Sequence, residues 1–288
     1  MIHMAAEVKK NKKPIKISTI IIYIVLILWA VTTVFPFIWV FMNSFKESQD
    51  VISNSFAWPK AFELMNYEKA FRRVNIGMAY RSSLIISGSV MVGVMILSSM
   101  MAFAMTRYQF KGKKVVDALI KGSLMFPVFA TIIPVMAMMV KVGFINSGNL
   151  LAAILPQIAG NLSFAAIVMM GFLRGLPLEM EEAAYMEGAG VAKVFTRIII
   201  PLSKPSLATV AIFCFLWSYN DLFTQSCLVR KKALLPICAL LKQISSIYGT
   251  DYGLMAAAVT LIVVPVMIVY ILLQKNIVKG LTAGAVKG

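Results

Sequence analysis

Six stretches of this chain, at about 20–42, 82–105, 115–140, 150–172, 206–229 and 254–278, are apolar over a length near the roughly 20 residues a helix needs to cross a bilayer. That pattern constrains the fold more than any other feature. Backbone N–H and C=O groups in lipid have no water to bond, and a helix satisfies them within its own segment. Composition agrees, since 60% hydrophobic residues and a mean hydropathy of +0.83 over 288 residues exceed what a soluble domain carries. The expected fold is an all-α integral membrane protein with six transmembrane helices. A basic cytoplasmic tail over residues 1–17 precedes one transmembrane domain over 18–288, with its core at about 82–278.

The formal charge of +16 would suggest nucleic acid in a soluble chain. Here the cations sit between apolar runs, where they favour the anionic inner leaflet and fix orientation, so membrane lipid and not nucleic acid is the expected partner. Lys9, Lys10, Lys12, Lys13 and Lys16 face only Glu7 in the tail. The first run is longer than a signal-peptide core and no small-x-small cleavage site follows it, so it is read as a retained first helix. Arg107, Lys111, Lys113 and Lys114 crowd the second-to-third connection with no acid among them, which places that connection in the cytoplasm. Six spans then put both termini and the charged stretch 176–205 on the cytoplasmic side of a cell membrane. Arg230, Lys231, Lys232, Arg72, Arg73 and Arg81 fall outside, in longer loops of mixed charge.

Catalytic chemistry finds little to work with. His3 is the only histidine, and Cys214, Cys227 and Cys238 have no metal or redox spacing, so they are read as small apolar residues and no metal site is expected. There is no Gly-x-x-x-x-Gly-Lys-Ser/Thr loop; Gly112-Lys113-Lys114 lacks the upstream glycine and the hydroxyl. The chain is therefore not expected to be an enzyme or to hydrolyse ATP itself.

Within the apolar runs a few polar residues stand out. Gln157 and Asn161 lie one turn apart in the fourth span, as do Asn220 and Thr224 in the fifth, with Asp221 adjacent. A carboxylate in a bilayer is costly, so Asp221 is expected to face protein or water. Two readings of these five residues stand: they border a solute path, or they hydrogen-bond helices together. Small residues four apart in the second span (Ser83 and Ser87, Ser89 and Gly93, Ser98 and Ala102) predict close helix packing. Pro127 and Pro134 in the third span and Pro156 in the fourth predict kinks. The external segment 43–81 is either short helices over the mouth of the spans or a solvated linker.

The stretch 176–205 is a charged island between the fourth and fifth spans. Pro177 suits a first helical turn, and Glu179, Glu181 and Glu182 complement the helix dipole there. Gly188 and Gly190 supply positive φ for a bend, and a second helix, 191–199, stops before Pro201. Glu179, Glu182, Ala183, Tyr185 and Met186 form an acidic and apolar surface suited to a soluble partner.

Glu182-Ala183-Ala184, three residues, Gly188, nine residues, then Ile198-Ile199-Ile200-Pro201 resembles the EAA loop of binding-protein-dependent ABC importer permeases. Ile200 stands where that family usually has Leu, Glu187 where Asp is commoner, and Gly190 where Ser or Thr often caps the second helix. The stretches 102–112, 217–221 and 280–288 are similar to the maltose and multiple-sugar branch. The resemblance implies a type I importer permease whose 176–205 loop is a coupling helix, with Glu179, Glu182, Ala183, Ala184, Tyr185, Met186, Gly188 and Pro201 meeting a cytoplasmic ATPase. It also implies a second permease subunit like that of the maltose importer, two ABC ATPase subunits and an extracytoplasmic solute-binding protein. ATP and Mg2+ would be held by the ATPases, and no cofactor by this chain. The implied function is a sugar importer subunit; an ion-gradient-driven secondary transporter is the alternative, for which only Asp221 is a suitable intramembrane acid.

Overall fold

The computed structural model describes residues 17–73, 75–239, 245–246 and 249–285. His3 and the basic cluster of the tail lie outside them. The principal α-helices among the described residues are α1 (Ile17–Asn43), α2 (Ser48–Ser53), α3 (Met65–Arg73), α4 (Ile76–Arg107), α5 (Lys113–Ser123), α6 (Val128–Lys141), α7 (Leu151–Arg174), α8 (Glu179–Met186), α9 (Val191–Val194), α10 (Ile200–Leu202), α11 (Lys204–Tyr219), α12 (Leu222–Leu228) and α13 (Tyr252–Ala285). A two-residue antiparallel pair, Ser245–Ser246 with Gly249–Thr250, precedes α13. Among the described residues the architecture is all-helical apart from that pair, and apolar helices dominate it.

α1, α4 and α7 are each long and apolar enough to cross a membrane alone. α4 and α7 form the centre, and α11 packs on both. Small side chains let them approach: Ser83, Ser87, Ser98 and Ala102 of α4 and Ala152, Ala153, Ala165 and Ala166 of α7 are all buried. A Cβ on Gly93 would sit 2.6 Å from Cδ1 of Ile158 on α7, so a larger residue there would force that side chain to move. Ser89, the other member of its predicted pair, is exposed and takes no part in this packing. α1 buries only Asn43 and otherwise presents apolar side chains outward, the surface a bilayer would cover.

Two predicted spans are not single helices. The third breaks at 124–127, where α5 and α6 meet at 108°. Pro127 bars its predecessor from the helical region and cannot donate to the preceding turn, so the expected kink is a full break. Pro134 and Pro156, in contrast, sit inside α6 and α7, which continue through them. The fifth span breaks at Asn220–Asp221 into α11 and α12, because the Asp221 carboxylate accepts from Thr224 N–H at 2.9 Å and starts a new helix.

The segment after α1 is tightly folded. Asn66 Nδ2 donates to Ser44 O (2.9 Å) and Lys46 O (2.8 Å), Asn43 Nδ2 reaches Ser55 O at 3.0 Å, and Tyr252 N–H donates to Ser48 Oγ at 3.0 Å. These bonds gather α2, α3 and the start of α13 at one end of the bundle. The α4–α5 connection and the 176–205 loop lie together at the other.

Candidate functional site

The 176–205 loop is an elbow of two helices. α8 starts at Glu179, two residues later than Pro177 suggests, with Leu178 as an N-cap that makes no side-chain bond. Glu179, Glu181 and Glu182 fill its first turn, where negative charge meets the free N–H groups. The helix ends in a Schellman motif: Ala189 N–H donates to Ala184 O at 2.9 Å, Gly188 N–H to Tyr185 O at 3.0 Å, and Gly188 adopts φ +81°. Gly190 does not take the expected positive φ. It is extended at φ −74°, ψ 161°, the ordinary geometry of an N-cap, and begins α9.

Nor does the second helix stop before Pro201. A π turn over Phe195–Ile199 bonds Ile200 N–H to Phe195 O, five residues back, and Ser203 N–H reaches Ile199 O at 2.9 Å. The widened turn closes the backbone around a residue that has no N–H, so α10 includes Pro201. The chain then turns by 75° into α11.

Glu179, Glu182, Ala183, Tyr185, Gly188 and Pro201 are exposed, Met186 is 88% exposed, and Ala184 is half-buried against the core. The elbow thus presents carboxylates beside bare apolar surface. Burial of part of the Tyr185 phenol, its hydrogen bond to Tyr108 and the nearby Glu181 charge push its pKa up to about 12, so it is neutral at physiological pH.

Sequence reasoning misses the role of Glu181. Its Oε1 accepts from Arg107 Nε at 2.7 Å, and both side chains are under 10% exposed. The run of three glutamates gives no sign of which one turns inward. Arg107, the cation nearest the end of the second span, reads from the sequence only as an orientation marker.

At the opposite half of the bundle, α6, α7, α11 and α12 enclose a cavity of about 600 Å³. Gln157, Asn161, Asn220, Asp221 and Thr224, singled out by helical spacing, all line it, together with Thr131, Trp217 and Ser218. Ser218 Oγ donates to Gln157 Oε1 at 2.5 Å, while the buried Gln157 Nε2 has no partner among the described residues. Asn161 Nδ2 and Asn220 Nδ2 bond carbonyls of their own helices, Gln157 O at 2.7 Å and Leu216 O at 2.9 Å. Phe129 and Phe223 form an aromatic wall with ring centroids 4.5 Å apart, and Trp217 packs on Phe164 at 4.7 Å. Asp221 is the one ionisable side chain in the described lining. Interhelical bonding therefore occupies Gln157 and Ser218 in part, and the Gln157 amide nitrogen is buried without a partner among the described residues.

A bundle of apolar helices with a protruding acidic elbow at one end and, near the other, a largely apolar cavity edged by a few polar side chains defines a multi-pass membrane transport component. Residues 94–283 match the family model of binding-protein-dependent transport system inner membrane components, and the chain belongs to that family. It is 33% identical to a diacetylchitobiose uptake system permease protein of Streptomyces coelicolor, over 90% of this chain and 86% of that one. It is also 33% identical to a galactooligosaccharides transport system permease protein of Bacillus subtilis (92% and 94% covered) and 31% identical to a trehalose/maltose transport system permease protein of Thermococcus litoralis (94% and 98%). Its fold matches a chain in the crystal structure of a bacterial ABC transporter that imports the acidic polysaccharide alginate, with a TM-score of 0.78 at 22% identity, covering 91% of this chain and 99% of that one.

Proposed function

We propose that this chain is the permease subunit of an ATP-driven importer for a neutral oligosaccharide, in which the elbow receives mechanical work and the cavity borders the solute path. The observation that carries the coupling half is the exposed acidic and apolar face of α8, held on a glycine-hinged elbow in a chain of this family. Two such subunits, this one and a second permease chain, would enclose the path. Each elbow would seat on one of two cytoplasmic ATPases that hold ATP and Mg2+, and nucleotide-driven closure would rock the spans between inward- and outward-open states. Both termini are cytoplasmic in this arrangement, and the 43–73 segment faces an external solute-binding protein. An ion-gradient-driven carrier has no finding in its favour.

The substrate class rests on two supports: the saccharides in the names of the relatives and the chemistry of the cavity. Amide and hydroxyl side chains in the lining (Asn161, Asn220, Thr131 and Thr224), set among Trp217, Phe129 and Phe223, offer polar groups and apolar faces together, as a sugar ring requires. The only charge in the described lining is the Asp221 carboxylate, which repels uronic acids and leaves neutral sugars unhindered.

The test is reconstitution with the partner subunits. Gly188→Asp should leave ATP hydrolysis and abolish linked uptake; normal ATP-driven uptake in that variant removes the coupling role. Neutral oligosaccharides should compete for uptake and uronic-acid oligosaccharides should not.

A further inference from the structure

The elbow is fastened to the bundle at one charged point. Arg107 is the last residue of α4, and Glu181 lies in the first turn of α8, seventy-four residues on. Their 2.7 Å contact is sealed from solvent, and Arg107 Nη2 has no partner among the described residues, so the guanidinium is spent on this one carboxylate. Aromatic contacts surround it. Phe103 of α4 packs edge-on against Tyr108 (5.7 Å) and at a tilt against Phe195 of the π turn (5.3 Å). Both arms of the elbow therefore bear on the end of α4. α4 in turn packs along α7, which carries Gln157 and Asn161 into the cavity.

A buried ion pair is weak support for stability as such, because desolvation cancels most of its attraction. What it does supply is a fixed geometry, since a flat guanidinium has few ways to meet a carboxylate in a closed site. Apolar contacts alone would let α8 slide over α4; a sealed ion pair does not.

We propose that Arg107 and Glu181 form the positioning pair that locks α8 to α4, so that displacement of the elbow becomes displacement of α4 and α7 at the cavity. This rests on the reading of the elbow as the ATPase-coupling element. Without the pair the ATPase still docks on the exposed face of α8 and still hydrolyses ATP, but the elbow moves without the spans.

The test uses the assembled complex in proteoliposomes with ATPases and binding protein, and reads solute moved per ATP hydrolysed. Arg107→Met with Glu181→Leu keeps the site filled without charge and should lower that ratio about tenfold while hydrolysis persists. The swap, Arg107→Glu with Glu181→Arg, should recover most of the ratio, whereas either single reversal should not. A wild-type ratio in the assembled apolar double variant overturns the proposal. So does a swap as poor as the single reversals, and so does failure of every variant to assemble, which would assign the pair to folding alone. Gly188→Asp, run alongside, separates the two levels. If it too couples normally, the elbow reading itself fails; if it uncouples while the apolar pair does not, only the role of Arg107 and Glu181 is lost.

Discussion

Two glycines show how differently one residue type can be required. A Cβ on Gly253 would lie 2.2 Å from Lys46 O and 2.8 Å from Asn66 Nδ2, that is, against backbone and against an amide nitrogen held by its bonds to Ser44 O and Lys46 O. Gly253→Ala should therefore destabilise the chain by about 1–3 kcal/mol through overpacking. Gly188 has open space where a Cβ would stand, with nothing within 4 Å, and its constraint is φ +81°. Gly188→Ala should cost only about 1 kcal/mol, from the left-handed backbone. Gly190, extended and uncrowded, should accept Ser with no loss. Thermal unfolding midpoints of the purified chain in detergent should rank the three Gly253→Ala, Gly188→Ala, Gly190→Ser, lowest to highest. At the same scale, Glu181→Ala leaves Arg107 buried without its partner and should destabilise by about 3–5 kcal/mol, well beyond the apolar double replacement. A double-mutant cycle on the same midpoints checks it.

Among the elements, α12 depends on a single capping bond. The Asp221 carboxylate accepts Thr224 N–H and also faces the cavity, so its two roles can be separated by substitution. Asp221→Asn keeps a good cap and removes the charge; stability should stay within about 0.5 kcal/mol, and the exclusion of uronic-acid sugars should relax. Asp221→Ala loses the cap as well and should cost about 1 kcal/mol. Unfolding and competition assays on the two variants distinguish these effects. This element also marks a limit of what the sequence reveals. Helical spacing is enough to pair Gln157 with Asn161 on one span and to single out Asn220, Asp221 and Thr224 on another, but only the fold brings the two groups to one cavity. Nor does spacing show that Asp221 ends one helix and starts another, since an apolar run reads the same whether or not it is broken. Pro127 signals a kink, but the 108° turn reflects what α5 and α6 pack against, which no local pattern contains. Pro201 misleads for a related reason: a π turn, invisible in the sequence, carries the helix through it.

For the whole molecule, the apolar runs and the elbow are legible because lipid allows helices little alternative and because the loop residues match a family pattern. The attachment of the elbow is not, since Arg107 and Glu181 are far apart in the chain and meet only in the fold. If the elbow faces the cytoplasm and takes work from an ATPase, its exposed tip must be reachable from that side alone and must be covered by the docked partner. Met186, 88% exposed at the end of α8, is the probe. With Cys214, Cys227 and Cys238 replaced by Ala, Met186→Cys should resist a membrane-impermeant maleimide in intact cells. It should react in inside-out membranes stripped of the ATPase, and should lose that reactivity when the ATPase is restored. Labelling of intact cells from outside, or equal labelling with and without the ATPase, would contradict it.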